Sequence, residues 1–277
     1  MKTKLFFLYV GILLIPFAWI YKPTLQWLYE RYTATDSYYS HGFLVPFVTV
    51  FLIWRRREQL KNIELEYSLW GIVLVCVAFI IHILSMIAKV FFIDGFSILI
   101  FIFGISLFLF GKRLTKIILF PLLFLFFMFP LPLQALYDVS SPLQYFITKT
   151  IVFIFVRTVG LPISKDGFEI FMPHGSLAIE NACSGLRSLI VMLALGSIFA
   201  YFLRSRFSKR LFLFLCAVPI TLFSNIIRIV LLSLVAYIYG PQITKGIFHD
   251  ITGYLMFAIS FCCLLILSNL LQCKKSL

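Results

Sequence analysis

The chain has 277 residues, 62% of them hydrophobic, and a formal net charge of +13. Apolar runs of about 15 to 30 residues fill nearly all of it, which excludes a soluble globular domain and marks a polytopic membrane protein. In such a chain a basic balance first marks loops held on one side of a bilayer, and nucleic acid is not expected as a partner.

Helix 1 is expected over Leu5 to Ile20, behind Lys2 and Lys4, with an outer loop from Tyr21 to about Asp36. Arg55-Arg56-Arg57 is a strong stop for helix 2. Because Phe43 to Trp54 alone is too short to span, that helix should start near Asp36, with Pro46 as a kink. Helices 3 and 4 follow at about Trp70 to Ala88 and Phe92 to Phe110, and Gly111-Lys112-Arg113 returns to the basic side. Helix 5 runs from about Leu114 to Phe129 and stops at Pro130-Leu131-Pro132. Helix 6 is expected over Ser184 to Leu203, ahead of Arg204, Arg206, Lys209 and Arg210. Helices 7 and 8 are expected over Leu211 to Tyr239 and Ile251 to Leu271, with Lys274-Lys275 behind the last.

Charge bookkeeping places both ends of Leu133 to Cys183 outside. The apolar stretch Ser141 to Val159, with Lys149 and Arg157, should then be an interfacial or re-entrant helix. Phe168 to Met172 and Ser176 to Glu180, around Pro173-His174-Gly175, read as a β-hairpin. The expected fold is an all-α polytopic membrane protein of about eight spans. An extracytoplasmic interfacial helix and a small β-hairpin lie between spans five and six. The whole chain, 1–277, is one membrane domain with no separate C-terminal soluble domain.

The hairpin leads into Glu180-Asn181-Ala182-Cys183-Ser184-Gly185-Leu186-Arg187-Ser188. Asn181 is a good N-cap for the following helix, which would put Cys183 in its first turn and Arg187 one turn deeper on the same face. A helix N-terminus and nearby cations both stabilise a thiolate. The other cysteines, Cys76, Cys216, Cys262, Cys263 and Cys273, sit in or at the end of apolar runs, and no disulfide framework or zinc spacing emerges. No metal or organic cofactor is expected.

Helix 7 holds Ser224-Asn225-Ile226-Ile227-Arg228 in an otherwise apolar run. An arginine there costs at least about 2.5–3.5 kcal/mol on insertion scales and marks function by default. Asn225 and Arg228 are three apart and share a face. At about 1.5 Å per residue, Arg228 stands roughly 27 Å above Arg210, Cys183 roughly 31 Å above Arg204, and His249 roughly 37 Å above Lys274. In a core about 30 Å thick, all three reach the outer face. His41 lies near enough in depth to line the same pocket. His82 is mid-helix with no evident partner.

Four stretches together resemble the exosortase/archaeosortase family of integral membrane transpeptidases. They are Tyr38-Tyr39-Ser40-His41-Gly42-Phe43-Leu44-Val45-Pro46; Asn181-Ala182-Cys183-Ser184-Gly185-Leu186-Arg187; Asn225-Ile226-Ile227-Arg228; and His249-Asp250-Ile251-Thr252-Gly253. The resemblance covers essentially the whole chain. It implies Cys183 as nucleophile, Arg228 as charge stabiliser and His249 as acid/base, with Asn181, Ser184, Arg187, Asn225 and His41 in support. It implies secreted protein substrates carrying a C-terminal sorting signal: a Pro-Glu-Pro-type motif, a transmembrane helix and a basic tail. The chain would sit in the cell (inner) membrane, contact lipid, and face its site outward. An anion transporter built on Arg228 and Arg187, and a non-catalytic assembly factor for surface polysaccharide export, are the alternatives. Transporters often show paired broken helices in two halves, which the chain lacks, and an assembly factor would not need Cys183.

Overall fold

A polar stripe decides how the first described helix packs. The computed structural model describes residues 15–35, 37–61, 63, 66–173, 175–179, 184–244 and 246–272, with the backbone alone for His249. Residues 15–20 are helical and, after a turn at Tyr21, Lys22–Thr33 (α1) continues as helix where a loop was expected. Pro23 is tolerated because the first turn needs no N–H from it. Thr24, Leu28 and Tyr32, at four-residue spacing, form its buried stripe. The rest of the expected helix 1, from Leu5 to residue 14, lies outside the described residues.

The chain divides into two compact units, Met1–Leu131 and Pro132–Leu277. In the first, a single tight turn of helix, Ser40–Phe43, precedes Leu44–Trp54 (α2). The expected helical start near Asp36 does not hold for Ser37 to Tyr39, and Asp36 itself lies outside the described residues. The Tyr39 N–H donates to Ser37 Oγ (2.9 Å), and Gly42 donates three residues back to the Tyr39 carbonyl (2.7 Å). A short helix Arg57–Lys61 (α3) leads to Trp70–Ala88 (α4), whose bounds match the expectation. Phe91–Ile117 (α5) bends at Gly111, where the return to the basic side was expected. The α4–α5 pair packs tightly: a Cβ on Gly71 would stand 2.3 Å from the Phe108 backbone nitrogen, so only glycine fits.

The expected fifth helix is broken into Leu119–Phe124 (α6) and a tighter turn, Leu125–Met128. Pro132 has no N–H to give the Met128 carbonyl, and Tyr32 Oη donates to that carbonyl instead (2.6 Å).

His82 does have a partner. Its Nδ1 lies 2.7 Å from Oδ1 of the fully buried Asp94 on α5. Thr24 Oγ1 donates to Asp94 Oδ2. Ser97 Oγ lies 2.7 Å from the Asp94 carbonyl, 3.1 Å from its Oδ1 and 3.1 Å from Tyr21 Oη. The network joins the helix of residues 15–33 to α4 and α5. Leaving a buried hydrogen-bonding group without its partner costs about 1–3 kcal/mol. Asp94→Ala should therefore lower the melting temperature of the detergent-purified protein by several degrees. Ser106→Ala, whose hydroxyl only bonds back to its own helix at the Ile102 carbonyl, should shift it little.

The second unit opens with Leu133–Ile154 (α7), which runs on through a wider turn, Phe155–Val159. It starts eight residues before the expected interfacial helix. Three antiparallel strands follow: Ser164–Asp166 (β1), Glu169–Met172 (β2) and Gly175–Ala178 (β3), in the order β1-β2-β3. The β2–β3 hairpin is the expected one, with Phe171 opposite Ser176. β1 is an addition: Ser-Lys-Asp carries no apolar alternation to betray it. His174, at the hairpin turn, lies outside the described residues.

Leu186–Phe202 (α8), Phe207–Tyr239 (α9) and Ile247–Leu271 (α10) pack on one another around Met192, Leu213, Ala217 and Leu264. A second core joins Ile147, Ile151 and Phe155 of α7 to Ile170 of the sheet and to Ile229 and Leu232 of α9.

Among the described residues five helical stretches are long and apolar enough to cross a membrane: Trp70–Ala88, Phe91–Ile117, Leu133–Val159, Phe207–Tyr239 and Asp250–Leu271. Expected spans two, five and six correspond to shorter apolar helices. Leu133–Val159, where an interfacial helix was expected, is among the five.

Candidate functional site

Gly185 governs how the site is assembled. Its backbone is left-handed (φ 78), which breaks the helix ahead of Leu186 and makes Gly185, rather than Asn181, the residue at the capping position of α8. A cap reaches the N–H groups two or three residues on, and Asn181 is five residues before Leu186. The helix that carries Arg187 begins at Leu186, two residues after the Ser184 start that was expected. Cys183 and Asn181 themselves lie outside the described residues. Ser184 is completely buried, and its Oγ accepts the Leu186 N–H (3.3 Å).

The break lets the chain close onto α9. A Cβ on Gly185 would stand 2.7 Å from Asn225 Nδ2 and 2.8 Å from Asn225 Cγ. Asn225 is completely buried, and Ser224 beside it nearly so. Three residues further along the same helix, Arg228 is only 6% exposed. Its guanidinium turns toward α10, where Nη2 lies 4.0 Å from the position a Cβ on Gly253 would take. His249 stands four residues, about one helical turn, before Gly253 on α10.

Of the residues expected at the site, Ser184, Asn225 and Arg228 are therefore gathered where the start of α8, the middle of α9 and the start of α10 pack together. Arg187 sits in the first turn of α8, half-buried, with its Nε shielded from solvent. His41 belongs to the first unit, in the turn Ser40–Phe43. Its ring stacks on Tyr39 (centroids 5.7 Å apart), with both ring nitrogens shielded from solvent.

Two groupings escaped the sequence reading. One is the Asp94 network. The other is Ser140, Gln144 and Thr148, a fully or nearly fully buried stripe along α7, which packs against α9. The four-residue spacing of three polar side chains in an apolar helix was the available signal. A helix lying on the membrane surface would turn such a stripe to water. Here it faces protein, and Tyr145, Phe146 and Phe153 are exposed instead.

Chemically, the second unit holds a guanidinium inside a membrane-length helix, one turn from the Asn225 that meets Gly185 and facing Gly253 near the start of α10. A cation kept in a poorly hydrated setting acts on a developing negative charge far more strongly than it would in water. Among the described residues no three His, Cys, Asp or Glu side chains gather as a metal site would require.

Residues 27–266 match the family model described as transmembrane exosortase, which is most of the chain. No curated protein and no solved structure matches it.

Proposed function

The chain belongs to the transmembrane exosortase family, and from that premise we propose that it is a membrane cysteine transpeptidase acting on secreted proteins that carry a C-terminal sorting signal. The observation that supports this reading best is the buried Arg228, three residues along α9 from the Asn225 that meets Gly185. The Cys183 thiolate attacks the peptide carbonyl just ahead of the substrate's membrane helix. Arg228 stabilises first the thiolate and then the tetrahedral oxyanion. His249 gives a proton to the leaving amine as the C–N bond breaks, leaving a Cys183 thioester. It then takes a proton from the incoming amine, other nucleophile or water as the thioester is resolved. Asn225, Ser184, Arg187 and Asn181 support the loop, with His41 at the edge of the site. All of the chain, 1–277, serves as one membrane domain.

Co-expression with a protein bearing such a signal tests this. Wild type should release the C-terminal helix and tail, whereas Cys183→Ala and Cys183→Ser should leave the substrate uncut. Continued cutting by Cys183→Ala would disprove the nucleophile assignment and turn attention to Ser184.

The reading also has a sidedness. The clusters Arg55–Arg57, Lys112-Arg113 and Arg204–Arg210 share the cytoplasmic face of the cell membrane. From Lys112-Arg113, one crossing brings the chain to the sheet, whether residues 114–128 or Leu133–Val159 make it. Either way the sheet and Cys183 face outward. A cysteine replacing Lys165, in a background free of other cysteines, should react with a membrane-impermeant maleimide in intact cells. Reaction only after the inner face is opened would overturn the orientation. A cysteine replacing Gln134 decides between the two crossings: it reacts in intact cells only if residues 114–128 span.

A further inference from the structure

The connector between α8 and α9, together with the first turn of α9, carries Arg204, Arg206, Lys209 and Arg210, all exposed, within seven residues. Among the described residues none of the four lies within ion-pair distance of a carboxylate. The basic clusters of the first unit differ. There Glu58 serves Arg57 (3.5 Å) and Lys61 (3.1 Å), Glu66 serves Arg113 (3.7 Å), and Arg56 donates to Gln59 (2.8 Å).

The sequence explains the contrast. Between Glu180 and Asp250 the chain has no Asp or Glu, and after Asp250 it has none. Asp250 does not compensate. Leu271, at the far end of α10, packs in the cluster that contains Leu203 and Leu213, so the connector lies at that far end. Asp250 stands 21 residues earlier on the same helix, roughly 32 Å away at 1.5 Å per residue. That is about four screening lengths of roughly 8 Å in physiological salt. Among the described residues no carboxylate pairs with these four cations, which leaves them open to an anionic partner.

Its chemistry is set by what is interleaved with the cations. Phe207 is 77% exposed and Phe212 is 53% exposed, each next to or near the basic residues. Both flank the start of a 33-residue apolar helix. Cations spaced with bare aromatic rings at the end of membrane-length helices match a bilayer boundary, where rings enter the acyl region and guanidinium and ammonium groups meet phosphate. We propose that the α8–α9 connector is a binding surface for the headgroups of anionic phospholipids. This does not rest on the chemistry assigned to Cys183.

Full-length wild-type protein should be placed in nanodiscs of phosphatidylglycerol or of phosphatidylcholine and compared by hydrogen–deuterium exchange. Residues 203–211 should exchange more slowly in phosphatidylglycerol, by about tenfold or more, while residues 55–61, with their internal carboxylates, should not change. Equal exchange of 203–211 in the two lipids would overturn the proposal, as would equal slowing of 55–61. In detergent, native mass spectrometry should find phosphatidylglycerol retained over phosphatidylcholine. R204Q/R206Q should reduce that preference at least threefold, and R204K/R206K should keep it. If inorganic phosphate at tens of millimolar displaces phosphatidylglycerol completely, the surface binds small anions and the lipid assignment fails.

Discussion

Arg228→Ala should silence substrate cleavage as fully as loss of Cys183 does, by at least about a hundredfold, while the protein still inserts and folds. The two halves of that expectation have one cause. Arg228 is 6% exposed and is the one charged residue between Leu211 and Tyr239. Deleting it removes a side chain that costs at least about 2.5–3.5 kcal/mol to insert, so membrane yield should hold or rise. A residue kept for stability would behave the opposite way. Arg228→Lys retains a point charge but loses the planar fork, and should recover only part of the activity. The same variants should slow alkylation of Cys183 at neutral pH, which in wild type should exceed that of the other five cysteines. Cleavage by Arg228→Ala within threefold of wild type would remove the charge-stabilising role.

Gly185→Ala should be the most damaging single methyl group in the second unit. Two costs coincide there. A left-handed backbone costs an L-residue about 1–2 kcal/mol. The new Cβ would also press within 2.7 Å of an amide nitrogen that is completely buried and cannot step aside, and overpacking of that kind costs typically about 1–3 kcal/mol. Gly160 separates the two. It too is left-handed (φ 74), but a Cβ there would meet nothing within 4 Å. Gly160→Ala should show the backbone cost alone, and the larger fall in melting temperature for Gly185→Ala measures the contact with Asn225. Shortening the partner in the double variant Gly185→Ala/Asn225→Ala should return part of the lost stability, because the sites are in direct contact and their effects do not add. Cleavage should stay low in the double variant if Asn225 holds the Cys183 loop. Equal destabilisation by Gly160→Ala and Gly185→Ala would mean that the loop is not pinned on α9.

Long apolar runs were readable because hydropathy is a local property. Trp70–Ala88 was legible to the residue, as was the alternation that makes the β2–β3 hairpin. Arg228 stood out for the same reason, as a charge where none is cheap. What stayed hidden depended on neighbours distant in sequence. Lys22–Thr33 is too polar to announce a buried helix until Thr24 meets Asp94 and Tyr32 meets Met128. The fifth helix looked continuous because nothing local shows where its carbonyls find partners. Asn181 drew attention as a cap because its residue type fits, whereas the left-handed Gly185 that interrupts the helix is set by contact with Asn225.

The Asp94 network also has an order in time. A ribosome delivers this chain from its amino end, so Tyr21 and Thr24 reach the bilayer first and His82 next, and only then does Asp94 emerge, with Ser97 three residues behind it. A lone carboxylate entering lipid would face an insertion penalty of about 2.5–3.5 kcal/mol. Here the Thr24 hydroxyl and the His82 imidazole are already made when it arrives, so the carboxylate meets two of its partners as its own helix is synthesised.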